Sequence, residues 1–296
     1  MNDIVQQARA AGVAILAFNV PYLPMLKPVV DAVVEQDCVA MLATARLEWY
    51  KFEARSPEAV QEEYARWARP PYTWLHLDHV PVIDEDDLQV DYLPVIQKAL
   101  GLGYQSVMVD GSRLSLVENM QATRAAANLA HAAGVPCEAE LGAVLGHEAG
   151  PLPPYEDLFA SGKGFTDPLE ARQFVQATGC DWLSVAVGNI HGAISGVKKD
   201  QKKVEARLSL ERIDDLVQAA GVPLVLHGGS GIRQEYVRGA IQRGIAKVNI
   251  GTEIRQAYEV ALRSSGSVES AQAAVFERTT WLIRDFFGLS GIAKKF

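Results

Sequence analysis

Eight short apolar runs rich in β-branched residues recur along the chain, separated by longer stretches of helical periodicity. They are AILAFNV (14–20), VAMLAT (39–44), YTWLHLDH (72–79), SVMVDG (106–111), CEAELG (137–142), WLSVAV (182–187), PLVLHGG (223–229) and AKVNIGT (246–252). Most close on a polar residue or glycine. Continuous hydrophobic strands must be covered on both faces, which implies a parallel sheet with helices outside. Eight βα units predict an α/β protein folded as a single (β/α)8 TIM barrel over residues 1–296, with a C-terminal helical extension. An open doubly wound sheet would put a glycine-rich turn after the first strand, and FNVPYLPM has none. Between the strands, residues 114–134 place Leu116, Met120, Thr123, Ala127 and Leu129 or Ala130 on one stripe, ending at Gly134 before Pro136. Residues 210–221 repeat the pattern. The connections 143–181 and 188–209 are long for a barrel, which marks them as covers of an active site. The runs Asp84–Asp87 and Lys198–Lys203 read as solvated loop faces.

Composition narrows the function. A formal charge of −8 argues against nucleic acid or an anionic membrane as partner. No apolar run reaches the ~20 residues that a bilayer span requires, and MNDIVQQARAAG reads as a polar helical start rather than a signal peptide. Cys38, Cys137 and Cys180 are dispersed in apolar surroundings and read as buried free thiols of a reducing compartment, so the expected location is cytoplasmic.

Chemistry in such a barrel lies at the carboxyl ends of the strands. Those ends are Asn19, Thr44, Asp78 with His79, Asp110, Glu140, His191, His227 and Asn249. Taken singly, each histidine suits a hydrogen-bonded residue of the barrel mouth. Three on one rim fit a catalytic zinc site, which takes three protein ligands and leaves a position open. His76 reads as an orienting residue and His131 as a surface one; His147 is unassigned. After His227, Gly228, Gly229, Ser230 and Gly231 offer backbone N–H groups for an anion, and NIGTEIR adds Thr252 and Arg255 from the next turn. These two turns are the usual phosphate site of a barrel.

The motifs LHLDH, VMVDGS, EAELG, VAVGNIHG, LVLHGGSG and KVNIGTEIR, in this order and spacing, resemble the class II, metal-dependent ketose-bisphosphate aldolases over nearly the whole chain. The resemblance implies reversible aldol cleavage of a ketose 1,6-bisphosphate (fructose or tagatose type) or a ketose 1-phosphate to dihydroxyacetone phosphate and an aldehyde, by a homodimer or homotetramer in carbohydrate metabolism such as glycolysis. By resemblance His79, His191 and His227 bind Zn2+, and Asp78 moves the C4 hydroxyl proton. Asp110 and Glu140 orient the metal or bind a second ion. Glu148, eight residues after Glu140, exchanges the enediolate proton from a mobile loop. Asn19 and Asn249 face the substrate, and Asn249 holds its dihydroxyacetone part. Gly192, Gly228, Gly229, Ser230 and Thr252 bind the phosphate beside a monovalent cation (Na+ or K+). Arg255 reaches the distal phosphate of some members.

The chain departs from the family in places. Val80 follows the ligand histidine where a second histidine is common, and Arg113 stands where histidine is common. ARLEWYKFE follows the second strand in place of a small, serine- and glycine-rich turn. These differences concern the aldehyde side. No lysine is required by the chemistry, and Lys247 reads as lying inside the last strand with no evident activator. The other readings are a phosphosugar-binding or regulatory relative without activity, and a metal-dependent hydrolase or epimerase on the same barrel.

Overall fold

In a computed structural model, residues 3–142, 155–189, 206–229 and 231–296 are described. The eight runs form parallel strands β1 (Ile15–Asn19), β2 (Ala40–Ala45), β3 (Thr73–Pro81), β4 (Ser106–Asp110), β5 (Cys137–Leu141), β6 (Trp182–Val185), β7 (Leu224–Leu226) and β8 (Ile245–Ile250). Each pairs with its sequence neighbour, and β8 returns to β1 to close the barrel. β7 is shorter than its apolar run because His227 and the glycines leave the ladder.

Alternation along the strands separates two environments. On β3 and β4, Leu75, Leu77, Val107 and Val109 join the apolar layer beneath the helices, while His76 and Asp78 meet partners from other strands inside the barrel. The β3–β4 register breaks between Leu77 and Val80, so that Asp78 and His79 together oppose one residue of β4. This bulge carries His79 at φ +30, a conformation that side-chain-bearing residues rarely adopt.

The expected helices form at Leu116–Ala132, capped by Ser115 and Glu118, and at Leu210–Ala220, capped by Ser209 and ended by Gly221 at φ 75. The polar start folds as the helix Ile4–Ala10, and the three cysteines are buried free thiols. After β8 come the helices Thr252–Ser265 and Val268–Trp281, the second packed on Leu26–Glu35. No helix among the described residues is long and apolar enough to cross a membrane.

One sequence expectation needs correction. Asp86 and Asp87 are exposed, but Asp84 is buried: its Oδ1 accepts from the N–H groups of Asp86 and Leu88, and Oδ2 pairs with Arg46 at 3.3 Å. Loop amides and a guanidinium replace the water it would lose. Lys247 lies inside β8 as expected, fully buried, with Nζ 2.7 Å from Glu138 Oε2. The run Lys198–Lys203 lies outside the described residues.

Candidate active site

The bulge on β3 lets consecutive residues serve one site. In a regular strand Asp78 and His79 would point to opposite faces. Here Asp78 remains inside the barrel and His79 reaches the mouth, its Nε2 lying 2.7 Å from His227 Nδ1. Asp78 is clamped from both sides: Asn19 Nδ2 donates to Oδ2 at 2.8 Å and Asn249 Nδ2 to Oδ1 at 2.8 Å. β1, β3 and β8 therefore fix one carboxylate, while Asn249 Oδ1 is buried without a hydrogen-bond partner among the described residues.

Each of the two histidines has its other nitrogen held by a carboxylate. His79 Nδ1 lies 3.2 Å from Asp110 Oδ2, and His227 Nε2 lies 2.8 Å from Glu138 Oε1. Glu140 Oε2 is 3.3 Å from His227 Nδ1 and also accepts from Ser184. Burial pulls the His79 imidazolium down, but Asp78, Asp110 and Glu140 outweigh it and hold its pKa up at about 10. His227 is also raised, because Glu138 and Glu140 overcome burial and the charge of His79. Burial pushes Asp78 up, yet His79, His76 and Lys247 leave it well below the usual carboxylate range. The surroundings thus favour positive charge at the facing nitrogens and a negative Asp78.

This donor set fits a divalent cation. Asp78, His79 and His227 present ligand atoms within 4.8 Å of one another, as do His79, Asp110 and Glu140. Metal-binding imidazoles typically have the second ring nitrogen fixed by a carboxylate, as both have here. His191, Gly192, Glu148 and Ser230 lie outside the described residues, as does His147.

On the anion side, Gly228 has φ +68, and a Cβ on Gly229 would stand 2.9 Å from the Asn249 carbonyl oxygen. Both positions favour glycine, and Gly229 lies against β8. Thr252 starts a helix whose cap, Gly251, makes no side-chain bond to its free N–H groups. Arg255 is buried, and its Nη1 contacts both Glu259 oxygens at 2.9 and 2.8 Å; the guanidinium also lies over the Phe52 ring. Thr44 is buried under the helix Arg46–Lys51 and accepts from Trp49.

Three residues absent from the sequence-based site belong to it. Glu138 and Lys247 form an ion pair beneath His227, with His76 Nε2 3.4 Å from Lys247 Nζ. Spacing carried their signal: Glu138 and Glu140, like Lys247 and Asn249, are two apart and share the interior face. Orienting His76 is buried, with Nδ1 2.8 Å from Ser106 Oγ. His131 is an exposed helix residue paired with Asp181. Glu48, in the helix Arg46–Lys51, is buried beside Asn19, and burial raises its pKa to about 8. The sequence had marked its segment only as unlike the family.

A family model described as fructose-bisphosphate aldolase class-II matches residues 1–286. The YdjI aldolase from Escherichia coli K12 is 30% identical, with 98% of both chains covered and a TM-score of 0.76. A Coccidioides immitis protein provisionally described as a fructose-1,6-bisphosphate aldolase is 27% identical, covering 99% of this chain and 97% of that one, with a TM-score of 0.77. The fructose-bisphosphate aldolase from Campylobacter jejuni, 19% identical over 97% of this chain and 94% of that one, shares the fold at a TM-score of 0.72.

Proposed function

The chain belongs to the class II fructose-bisphosphate aldolase family, and on that premise we propose that it is a zinc-dependent aldolase of ketose phosphates. It would cleave a ketose 1-phosphate or 1,6-bisphosphate reversibly to dihydroxyacetone phosphate and an aldehyde. The observation that carries this reading is the pair of imidazole nitrogens facing each other at 2.7 Å, both backed by carboxylates, beside a clamped Asp78.

In this reading His79 and His227 hold the zinc with His191 as third ligand, while Asp110 and Glu138 fix the two described rings. Bound there, the ion supplies a Lewis acid for the ketone oxygen, a contribution of several kcal/mol. Asp78 takes the C4 hydroxyl proton as the C3–C4 bond breaks and C4 becomes the aldehyde carbonyl. Held ionised and aimed by two amides, it is ready to accept that proton. The electron pair left at C3 is shared with the C2 oxygen, and Glu148 returns a proton to C3. Asn249 Oδ1, buried with no hydrogen-bond partner among the described residues, suits a substrate hydroxyl. The turns bearing Gly228, Gly229 and Ser230, together with Thr252, receive the phosphate through backbone N–H groups.

Exhaustive chelation tests the reading. Cleavage of fructose 1,6-bisphosphate or of a ketose 1-phosphate should fall at least a hundredfold and return on addition of zinc or cobalt. Full activity in protein shown by elemental analysis to be metal-free would refute it.

A further inference from the structure

Resting on that reading, we propose that Glu48 makes the aldehyde side of the site select an unphosphorylated hydroxyaldehyde, so that the preferred ketose carries its only phosphate at C1. The substrate path follows from the clamp on Asp78. Asn249 approaches it from β8, beside the glycine turns that would hold the C1 phosphate. Asn19 approaches from the neighbouring strand β1, one strand nearer β2, and bonds the other carboxylate oxygen. With Asp78 at the C4 hydroxyl, the carbons beyond C4 leave toward Asn19 and the segments that follow β1 and β2.

Glu48 occupies that exit. Its Oε2 accepts the Ala45 N–H at 2.8 Å, and the Asn19 side chain also bonds to it, so one amide joins Glu48 to Asp78. Glu48 and Asn19 each keep 8% of their surface, enough for contact with a bound molecule. A phosphate dianion needs compensating charge or several N–H donors. Ionised, Glu48 repels it; protonated, it offers a single donor.

The neighbouring cations are committed. Arg255 is held by both oxygens of Glu259, which also accepts the Tyr22 hydroxyl at 2.8 Å. Arg46 pairs with Asp84 and lies over the Tyr50 ring, and Lys51 reaches Asp86 at 3.0 Å and Glu85 at 3.5 Å. Arg255, Arg46 and Lys51 thus each already have a carboxylate. Hydroxyl groups, by contrast, can both donate to and accept from a carboxyl and an amide.

Condensation of dihydroxyacetone phosphate with glyceraldehyde and with glyceraldehyde 3-phosphate tests the inference, alongside exchange of the dihydroxyacetone phosphate C–H proton with solvent. The wild-type enzyme should favour glyceraldehyde at least tenfold in kcat/KM. Glu48→Gln keeps an oxygen acceptor for Ala45 N–H and removes the acid, so it should shift that ratio at least tenfold toward the phosphorylated aldehyde, with the KM for dihydroxyacetone phosphate within threefold. Proton exchange with a wild-type preference for glyceraldehyde 3-phosphate overturns this inference alone. An unchanged ratio in a Glu48→Gln protein with a native circular dichroism spectrum does the same. Absence of both exchange and condensation overturns the aldolase reading together with this one.

Discussion

Asp78 and Glu48 are joined through one amide, yet their surroundings act on them in opposite directions. Asp78 faces histidines and Lys247, which outweigh burial and keep it ionised. Burial dominates at Glu48 and Asp78 adds repulsion, against which the Ala45 N–H, the Asn19 side chain and the charge of His79 are insufficient. The folded protein therefore holds the Glu48 proton more tightly than the unfolded chain, with a pKa of about 8 against 4.5. Its contribution to stability is complete below pH 4.5 and is lost as pH rises toward 8, at up to ~1.4 kcal/mol per pH unit. Urea unfolding of the metal-free protein should show this decline between pH 5 and pH 8, and Glu48→Gln should flatten it; parallel profiles would contradict the assignment. Asp78 was legible in the sequence because a polar residue ending an apolar run has few structural reasons to be there. Glu48 was not, since a glutamate in a charged, aromatic segment reads as surface until the fold turns it toward Asn19.

Strand ends were legible as elements because hydrophobic runs and their terminators are local properties. The bulge in β3 was not, because LDHV has no glycine or proline to announce it, and it depends on how β3 meets β4. The turn after β7 lies between these cases: its glycines were visible as an anion nest, but the closeness of β8 was not. Gly229 N–H donates to the Asn249 carbonyl at 3.2 Å, and an added Cβ would stand 2.8 Å from Val248 Cγ1 and 2.9 Å from that same oxygen. Gly229→Ala must push the turn off the strand that carries Asn249. The expected result is a stability loss on the order of 1–3 kcal/mol by denaturant titration. The KM for dihydroxyacetone phosphate should rise severalfold while kcat changes less. Unaltered KM would separate this turn from the phosphate.

At the scale of the whole barrel, the interior below the metal candidates is a polar layer linking β3, β4, β5 and β8 through His76, Ser106, Glu138 and Lys247, with His227 above it. Burying an ion pair gives little net stability, but leaving one member without its partner costs ~3–5 kcal/mol. This layer therefore reads better as a device for aiming His227 than as a source of stability. Lys247→Met should accordingly destabilise the metal-free protein by about that amount and weaken zinc binding by ~10–100-fold, since Glu138 would no longer be held against the His227 ring. Replacing both charges, Lys247→Met with Glu138→Met, separates the two roles: most of the stability should return because no orphaned charge remains, while zinc affinity stays low because His227 still lacks its carboxylate. Denaturant titration and competition against a chelator of known affinity measure the two quantities independently. Recovery of zinc affinity in the double variant would mean that the pair serves the barrel alone and that Glu138 does not orient His227.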